Sequence, residues 1–242
     1  MNEIEILKQF VAESNRIVFF GGAGVSTESG IPDFRSIDGL YNQTWKYPPE
    51  VMLSRSFFKQ HTAEFFAFYK KKLLHLDAQP NKAHMALAEL EKAGKLTAVI
   101  TQNIDGLHQK AGSRNVLELH GSVWRNFCLQ CNEKYGVEVV TSSPDVPNCQ
   151  CGGMVRPDVV LYEETLEDEV MMKALDYIAQ ADMLIIGGTS LGVYPAAGLL
   201  QVYHGRKLAL INKSATHMDA RANLVIRDSI GEILAKLIEN NL

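Results

Sequence analysis

The sequence predicts an α/β protein with a doubly wound parallel sheet and a second, smaller domain. Apolar runs rich in Val, Ile and Leu alternate with amphipathic segments from residue 81 onward. This pattern is typical of a parallel sheet covered by helices on both faces. A glycine-rich stretch follows the first apolar run, and polar residues follow the ends of the others. Because doubly wound sheets bind ligands at the carboxyl ends of their strands, we expect the functional site at that edge.

Hydrophobic periodicity and breaker residues define the individual elements. β-branched and apolar runs predict strands at residues 16–20, 96–101, 116–119, 183–186, 207–211 and 224–226, and an extended segment at 155–162. Helical spacing predicts helices at residues 1–10, 56–76, 82–93, 166–181 and 229–240. Residues 38–80 concentrate aromatic side chains and predict a small helical lobe. Its aromatic residues form either the core of the lobe or a wall over a binding cleft.

Composition narrows the class of protein. The 242 residues are 46% hydrophobic and 21% charged, as in ordinary globular proteins. A net charge of −4 gives no footprint for nucleic acid or a membrane surface. The first ten residues form an acidic amphipathic segment unlike a signal peptide, and no apolar run has membrane-spanning length. We expect a cytoplasmic protein without direct nucleic-acid or membrane partners.

The glycine-rich stretch predicts a nucleotide site. Gly22 and Gly24 follow the first strand in a G-x-G pattern, although Thr27 occupies the position of a third glycine. Glycines permit sharp turns and close approach to a ligand, and the amide groups of such a loop can bind phosphate. A purely structural turn is the alternative. The polar residues that follow favour a ligand, and a dinucleotide is the first hypothesis; they are Ser26, Ser29, Asp33 and Arg35.

All four cysteines lie in one short window. Cys128 and Cys131 have standard zinc-knuckle spacing, whereas Cys149 and Cys151 are one residue closer together. The glycines at 152 and 153 would let the backbone fold tightly enough for both thiolates to reach one ion. We expect zinc rather than two disulfides or incidental thiols. Four thiolates would complete the coordination sphere, so the metal should be structural.

Three polar residues at predicted strand ends suggest chemistry. Asn103 and Asp105 could bracket a ribose or an amide, although either could instead cap the next helix. His120 suits general-base catalysis near neutral pH, or it could be structural. The sequence lacks an acidic residue at the end of the second strand, a Gly-Lys-Ser/Thr loop and a Gly-x-Ser-x-Gly elbow. This combination suggests that the nucleotide itself is cleaved.

Taken together, motifs spread in order over residues 16 to about 230 resemble the sirtuins, NAD-dependent protein deacylases, in their bacterial type. The matching segments are Gly22-Ala-Gly-x-Ser26, Ser29-Gly-Ile-Pro-Asp-Phe-Arg35, Thr101-Gln-Asn-Ile-Asp105, Leu107-His108, His120-Gly121, the four cysteines, Arg156-Pro157 and Gly188-Thr-Ser-Leu191. The resemblance implies a Rossmann-like NAD-binding domain from residues 1–37, 81–121 and 158–242. It also implies a small domain made of a helical module, 38–80, and a zinc-ribbon module, 122–157.

The resemblance also implies roles for individual residues. His120 would be the general base acting through the nicotinamide ribose, Asn103 and Asp105 would order that ribose, and Phe34 would guard the reacting carbon. The other implied NAD contacts are Gly22, Ala23, Gly24, Ser26, Asp33, Arg35, Gln102, Ile104, Gly188, Thr189, Ser190, Asn212 and Asp228.

The implied activity is deacetylation of acetyl-lysine in proteins or peptides. The acetyl group would pass to ADP-ribose, with release of nicotinamide and O-acetyl-ADP-ribose. A mono-ADP-ribosyltransferase on the same cleft is the main alternative. A non-catalytic NAD sensor that uses the zinc module to bind partners is the other, but the trio of His120, Asn103 and Asp105 argues against it.

Two segments bear on substrate choice. Residues 159–164 resemble the sirtuin strand that pairs with substrate backbone, but Glu163 stands where many relatives have glycine. The added charge predicts basic residues around the acyl-lysine. Tyr69 and Lys72 could occupy the places of a Tyr-x-x-Arg pair typical of succinyl-lysine sirtuins; the alternative is a solvated face at 70–72. Both interpretations predict that acetyl-lysine is preferred over succinyl-lysine.

Overall fold

The computed structural model describes residues 2–34, 39 and 46–238, and its centre is a six-stranded sheet in which every neighbouring pair is parallel. In chain order the strands of the structure are β1 (Ile17–Gly21), β2 (Leu96–Thr101), β3 (Val116–Glu118), β4 (Gly121–Cys128), β5 (Lys134–Tyr135), β6 (Val155–Val159), β7 (Met183–Gly187), β8 (Leu208–Ile211) and β9 (Leu224–Ile226). The sheet order is β3-β2-β1-β7-β8-β9. Renumbered within the sheet this is 3-2-1-4-5-6, the Rossmann order, so the predicted fold class is confirmed.

Helices cover both faces of the sheet, and further helices form the helical lobe. They are α1 (Glu3–Ala12), α2 (Pro49–Met52), α3 (Arg55–Gln60), α4 (Thr62–Lys72), α5 (Lys82–Lys92), α6 (Leu107–Lys110), α7 (Glu138–Ser142), α8 (Asp168–Gln180) and α9 (Ile230–Ile238). Helices α1, α5 and α9 supply one apolar core against the sheet. Helix α8 and a 3₁₀ segment at Ala196–Val202 supply a second. Among the described helices, none has the length and hydropathy needed to cross a membrane.

Continuous apolar strands explain why the sheet was predictable. All five residues of β1 and of β7 are buried, as expected where helices cover both faces of a parallel sheet. In the pairing of these strands, Gly21 lies opposite both Thr101 and Gly187. The carboxyl ends of β1, β2 and β7 are therefore level with one another. Any residue that follows one of these ends is a neighbour of the residues that follow the other two.

The aromatic lobe is a core rather than a cleft wall. The predicted helix at residues 56–76 is broken at His61, whose φ of −133° and ψ of 48° separate α3 from α4. The aromatic residues of both helices are buried together with Val123 of β4, Val159 of β6 and Leu161, which follows β6. The lobe therefore packs directly against the cysteine-bearing module.

Tyr69, one of the two residues that could read the acyl group, lies in the core of the lobe. Tyr69 is fully buried and stacks on Phe65 at 5.7 Å between ring centroids. The Lys70 ammonium donates to the carbonyls of Ser143, at 2.5 Å, and Asp145, at 2.8 Å. Tyr69 is thus a core residue. Lys70 joins the lobe to the cysteine module and is not part of a solvated face.

The cysteine module is a three-stranded antiparallel sheet in the order β5-β4-β6. Strand β6 pairs with β4 from Val155 to Val159. The predicted domain boundary after residue 157 falls inside this strand. The division into domains remains a prediction, and the pairing shows how the extended segment at 155–162 connects the module to the large sheet.

Candidate active site

Three loops meet beyond the level ends of β1, β2 and β7. The Gln102 amide nitrogen Nε2 donates to the Gly21 carbonyl at 3.3 Å and to Thr189 Oγ1 at 3.0 Å. One side chain thus connects the loops that follow all three strands. The structure brings together residues that are far apart in sequence, as expected from the fold class.

The glycines of the first loop serve loop packing. A Cβ at Gly22 would lie 2.9 Å from Thr189 Cβ, and one at Gly24 would lie 2.8 Å from the Gly188 carbonyl oxygen. The Gly24 amide donates to that same carbonyl at 2.8 Å. The backbone then forms two 3₁₀ turns, Ala23–Val25 and Thr27–Ser29, in place of a long helix. The close approach predicted at Gly24 is therefore to the backbone of Gly188, and its amide is engaged within the protein.

Ser26 is the centre of a buried polar cluster. Its hydroxyl donates to Asp105 Oδ2 at 2.7 Å and accepts from Asn103 Nδ2 at 3.0 Å. Asp105 Oδ1 also accepts from the Leu107 amide at 2.9 Å, so this carboxylate both caps α6 and belongs to the cluster. The structure therefore bears out the contact of Asp105 with the start of the next helix, and its contact with a ribose stays a prediction. These contacts fix the side chains of Asn103 and Asp105 at the end of β2.

His84 joins the cluster, although no motif of the sequence selects it. Its Nε2 lies 3.5 Å from Ser26 Oγ, and its Nδ1 accepts from the Asn81 amide at 3.2 Å. Burial lowers the pKa of His84 to about 4, an effect that the nearby Asp105 carboxylate partly opposes. The ring is therefore neutral at neutral pH. A single histidine on the apolar face of α5 resembles a core residue, and only the cluster itself identifies it.

His120 has a defined tautomer. Its Nδ1 lies 2.9 Å from the Gln102 carbonyl oxygen, which can only accept, so Nδ1 carries the proton. Nε2 then presents a free lone pair. Burial lowers the pKa of His120 below its usual value, although the hydrogen bond to Gln102 opposes that shift. The ring is thus neutral near pH 7, and Nε2 can accept a proton.

The loop after β7 is held by Asn212 at the end of β8. Asn212 Oδ1 accepts from the Thr189 amide at 3.1 Å, and its Nδ2 donates to the Thr189 carbonyl at 2.6 Å. Gly188 has a φ of +60°, which a side chain would strain. Ser190 is exposed next to this loop, and Asp228 is exposed beyond β9.

The remaining predicted residues lie toward the helical lobe. Phe34 and Ile104 both pack partly against its aromatic core. Asp33 is half-buried beside Phe34. Arg35 lies outside the described residues. The residues of the NAD-site prediction therefore extend from the loop after β9 to the edge of the helical lobe.

The four cysteines form one compact cluster. Their sulfur atoms all lie within 4.8 Å of one another, with Cys128 to Cys151 and Cys131 to Cys149 both at 3.6 Å. Tetrahedral coordination with zinc–sulfur bonds of about 2.3 Å places sulfurs about 3.8 Å apart. A disulfide would need about 2.05 Å. The thiols are free and fit a four-thiolate zinc site, as predicted.

Local contacts favour a thiolate at Cys149. The Tyr135 hydroxyl donates to Cys149 Sγ at 3.0 Å, and this bond together with the Cys151 amide lowers the pKa of Cys149 to about 6. A Cβ at Gly153 would lie 2.8 Å from Cys128 Sγ. Glycine at this position therefore explains how the shortened Cys149-x-Cys151 pair reaches the same centre. The four cysteines lie between the end of β4 and the start of β6, within the cysteine module.

Known proteins match the chain over nearly its whole length. A family model described as the Sir2 family matches residues 22–195. An NAD-dependent protein deacetylase of Clostridium acetobutylicum is 58% identical over 242 residues, which cover 98% of this chain and 99% of that protein. One of Cutibacterium acnes is 55% identical over 233 residues, 96% of each chain.

Solved structures agree with this assignment. A Sir2 complex with deacetylated p53 peptide and 3′-O-acetyl ADP-ribose has a TM-score of 0.91 at 39% identity, covering 98% of both chains. A Sir2 complex with p53 peptide and NAD+ has a TM-score of 0.87 at 40% identity, covering 99% of this chain and 98% of that one. Sequence, fold and site geometry lead to one conclusion: the chain belongs to the Sir2 family.

Proposed function

We propose that this protein is an NAD-dependent protein lysine deacetylase. It transfers the acetyl group of acetyl-lysine to the ADP-ribose part of NAD, consumes one water, and releases nicotinamide, O-acetyl-ADP-ribose and free lysine. Relatives with this name match 96% or more of the chain at 55 to 58% identity. The observation in the structure that carries the proposal is a neutral His120 with a free Nε2, whose ring is hydrogen-bonded to Gln102 immediately before Asn103 of the Ser26 cluster.

His120 is the general base of the proposed reaction. The Gln102 carbonyl holds the Nδ1 proton, so the ring can only accept at Nε2. Because burial lowers its pKa, the base form is present at neutral pH without the help of a neighbouring carboxylate. The chain needs no serine or cysteine nucleophile, since the acetyl oxygen of the substrate attacks the ribose.

Asn103 and Asp105 are positioned to order the ribose that receives the acetyl group. Both side chains bond to the same Ser26 hydroxyl, and Asn103 is buried. Their orientation is therefore fixed before NAD binds, which lowers the entropic cost of forming a reactive complex. Bound NAD supplies the ribose carbon and the nicotinamide leaving group.

The other end of NAD is assigned to the loops after β7, β8 and β9. Gly188, Thr189 and Ser190 lie where ligands bind in a Rossmann-type sheet. Asn212 stabilises this loop through two hydrogen bonds to Thr189. Asp228 is exposed beyond β9 and is assigned to adenosine. Phe34 and Ile104, at the edge of the helical lobe, are assigned to the nicotinamide end.

The zinc centre is assigned a structural role. Cys128, Cys131, Cys149 and Cys151 supply four ligands, so no coordination position is left for a substrate. Free thiols at this spacing are typical of a reducing compartment. Together with the net charge of −4, they support a cytoplasmic enzyme whose partners are acetylated proteins rather than nucleic acids or membranes.

The test is to incubate the protein with NAD and an acetyl-lysine peptide and to identify every product by mass. We expect nicotinamide, deacetylated peptide and O-acetyl-ADP-ribose in equal amounts. The appearance of ADP-ribose on a protein, with the acetyl group retained, would instead identify a mono-ADP-ribosyltransferase. Binding of NAD without release of nicotinamide would contradict both activities.

A further inference from the structure

A surface groove of about 590 Å³ lies between the helical lobe and the cysteine module. Arg55 and Lys59 of α3 line one side of it, and Leu129 and Met154 of the cysteine module line the other. Leu129 is 49% exposed and presents an apolar surface to the groove. We call this feature the α3 groove. Its volume is in the range of sites that bind ligands or short peptide segments.

The two carboxylates of the α3 groove are already engaged within the protein. Arg156 donates to both oxygens of Glu164, at 2.7 and 3.0 Å. Glu163 Oε2 accepts from the amide of Ser56 at 2.9 Å and from its hydroxyl at 2.6 Å. These two bonds lower the pKa of Glu163 and fix its carboxylate at the start of α3. The prediction that Glu163 attracts basic residues of a substrate therefore lacks structural support.

The cations of the groove are in the opposite situation. Arg55 and Lys59 are four residues apart, so they share one face of α3. Both are exposed. Within the described part of the chain, neither side chain has an ion-pair partner within 4.0 Å. Arg55 is close enough to Glu163 and Glu164 to attract their carboxylates, but it forms no ion pair with either. With Arg156, three cations face two carboxylates, so the groove carries a net positive charge.

The groove lies close to the catalytic histidine. The Val160 amide donates to the His120 carbonyl at 3.0 Å, and Glu163 follows three residues later. Three residues span at most about 11 Å when fully extended. The groove therefore begins within about 11 Å of the His120 backbone, a distance that three or four extended residues of a bound peptide can cover.

We infer that the α3 groove binds an acidic segment that flanks the acetyl-lysine of the protein substrate. Carboxylates of this segment pair with Arg55 and Lys59, while its carbon chains cover the exposed Leu129. This inference rests on the proposed deacetylase activity and gives it a substrate preference. It also reverses the preference that Glu163 suggested in the sequence.

The experiment uses acetyl-lysine peptides with two flanking residues changed. Pairs of Glu, Gln or Lys are placed three and four positions from the acetyl-lysine, on either its amino or its carboxyl side. On one side we expect kcat/KM for the Glu peptide to exceed that for the Gln peptide by about fivefold, equivalent to about 1 kcal/mol. The difference should lie in KM, and it should shrink at high salt because the pairs are exposed.

Two double variants test the assignment to α3. Arg55→Gln with Lys59→Gln should abolish the preference for the Glu peptide and leave kcat on the Gln peptide unchanged. Lys92→Gln with Arg206→Gln removes the same charge from exposed residues elsewhere and should keep the preference. Equal rates on Glu and Gln peptides, a preference for Lys, or a preference that survives the α3 variant would overturn the inference. If no acetylated peptide is deacetylated, the proposed function fails, and the inference fails with it.

Discussion

His120 Nδ1 donates its proton to the backbone carbonyl of Gln102 over 2.9 Å. Gln102 also donates from its side chain to Gly21 and Thr189, so one residue at the end of β2 both sets the tautomer of the base and connects the neighbouring loops. The proton-accepting atom of His120 is therefore determined by the end of the sheet. Any change that moves the end of β2 should alter catalysis as well as NAD binding.

The pH dependence of the reaction follows from the environment of His120. Burial lowers its pKa, so the neutral form persists below the usual value of about 6.5. We expect kcat/KM to fall as pH decreases only below that value and to be level across neutral pH. Nicotinamide release measured from pH 5 to 8 checks this. A fall that begins above pH 7 would mean that the essential base has a raised pKa, contrary to the burial of His120.

The Ser26 hydroxyl should matter more for turnover than for folding. Ser26→Ala removes the donor to Asp105 and the acceptor for Asn103, so both side chains lose their common partner. We expect kcat/KM to fall by about ten- to a hundredfold, on the order of 1.4 to 2.7 kcal/mol. Ser14→Ala is a matched control, because Ser14 is equally buried but bonds to Phe10 of α1. Similar activity in the two variants would contradict the role of the cluster.

The sequence predicted the sheet because its strands are continuous apolar runs. The expected bounds of β2 and β9 coincide with the structure, those of β3, β7 and β8 differ by one residue at one end, and β1 is shifted by one residue at both ends. The lobe was harder to predict. The aromatic spacing continues across His61, whereas the backbone turns there. The spacing therefore predicts one helix where the structure has two.

The positions of candidate site residues were predictable where they follow strands. Their contacts were not predictable where the partner is distant in the sequence. His84 reaches Ser26 from 58 positions away, and nothing in its helix distinguishes it from a core residue. Glu163 suggested a free negative charge, but Ser56 lies 107 positions earlier and engages it. The role of Gly24 was similarly open until Gly188 was found against its backbone. Local patterns hold no information about such pairs.

Loss of one cysteine should remove the metal and much of the stability. Cys151→Ser leaves three thiolates, and the binding energy of a structural zinc is also folding energy. We expect one zinc per chain in the wild type, little in the variant, and a melting temperature lower by many degrees. The exposed neighbour provides a control, since Gln150→Ala should keep both metal and stability. A zinc-free wild type that is folded and active would refute the assignment.

The most direct test of the account is the turnover of His120→Ala with an acetyl-lysine peptide, measured as nicotinamide release beside NAD affinity by calorimetry. We expect turnover to fall by roughly a hundredfold or more, the usual loss for a positioned general base. NAD affinity should change little, because the loops assigned to phosphate and adenosine are held by Asn212 rather than by His120. Near-normal turnover in this variant would contradict the account, because no other described residue has been assigned to accept the proton.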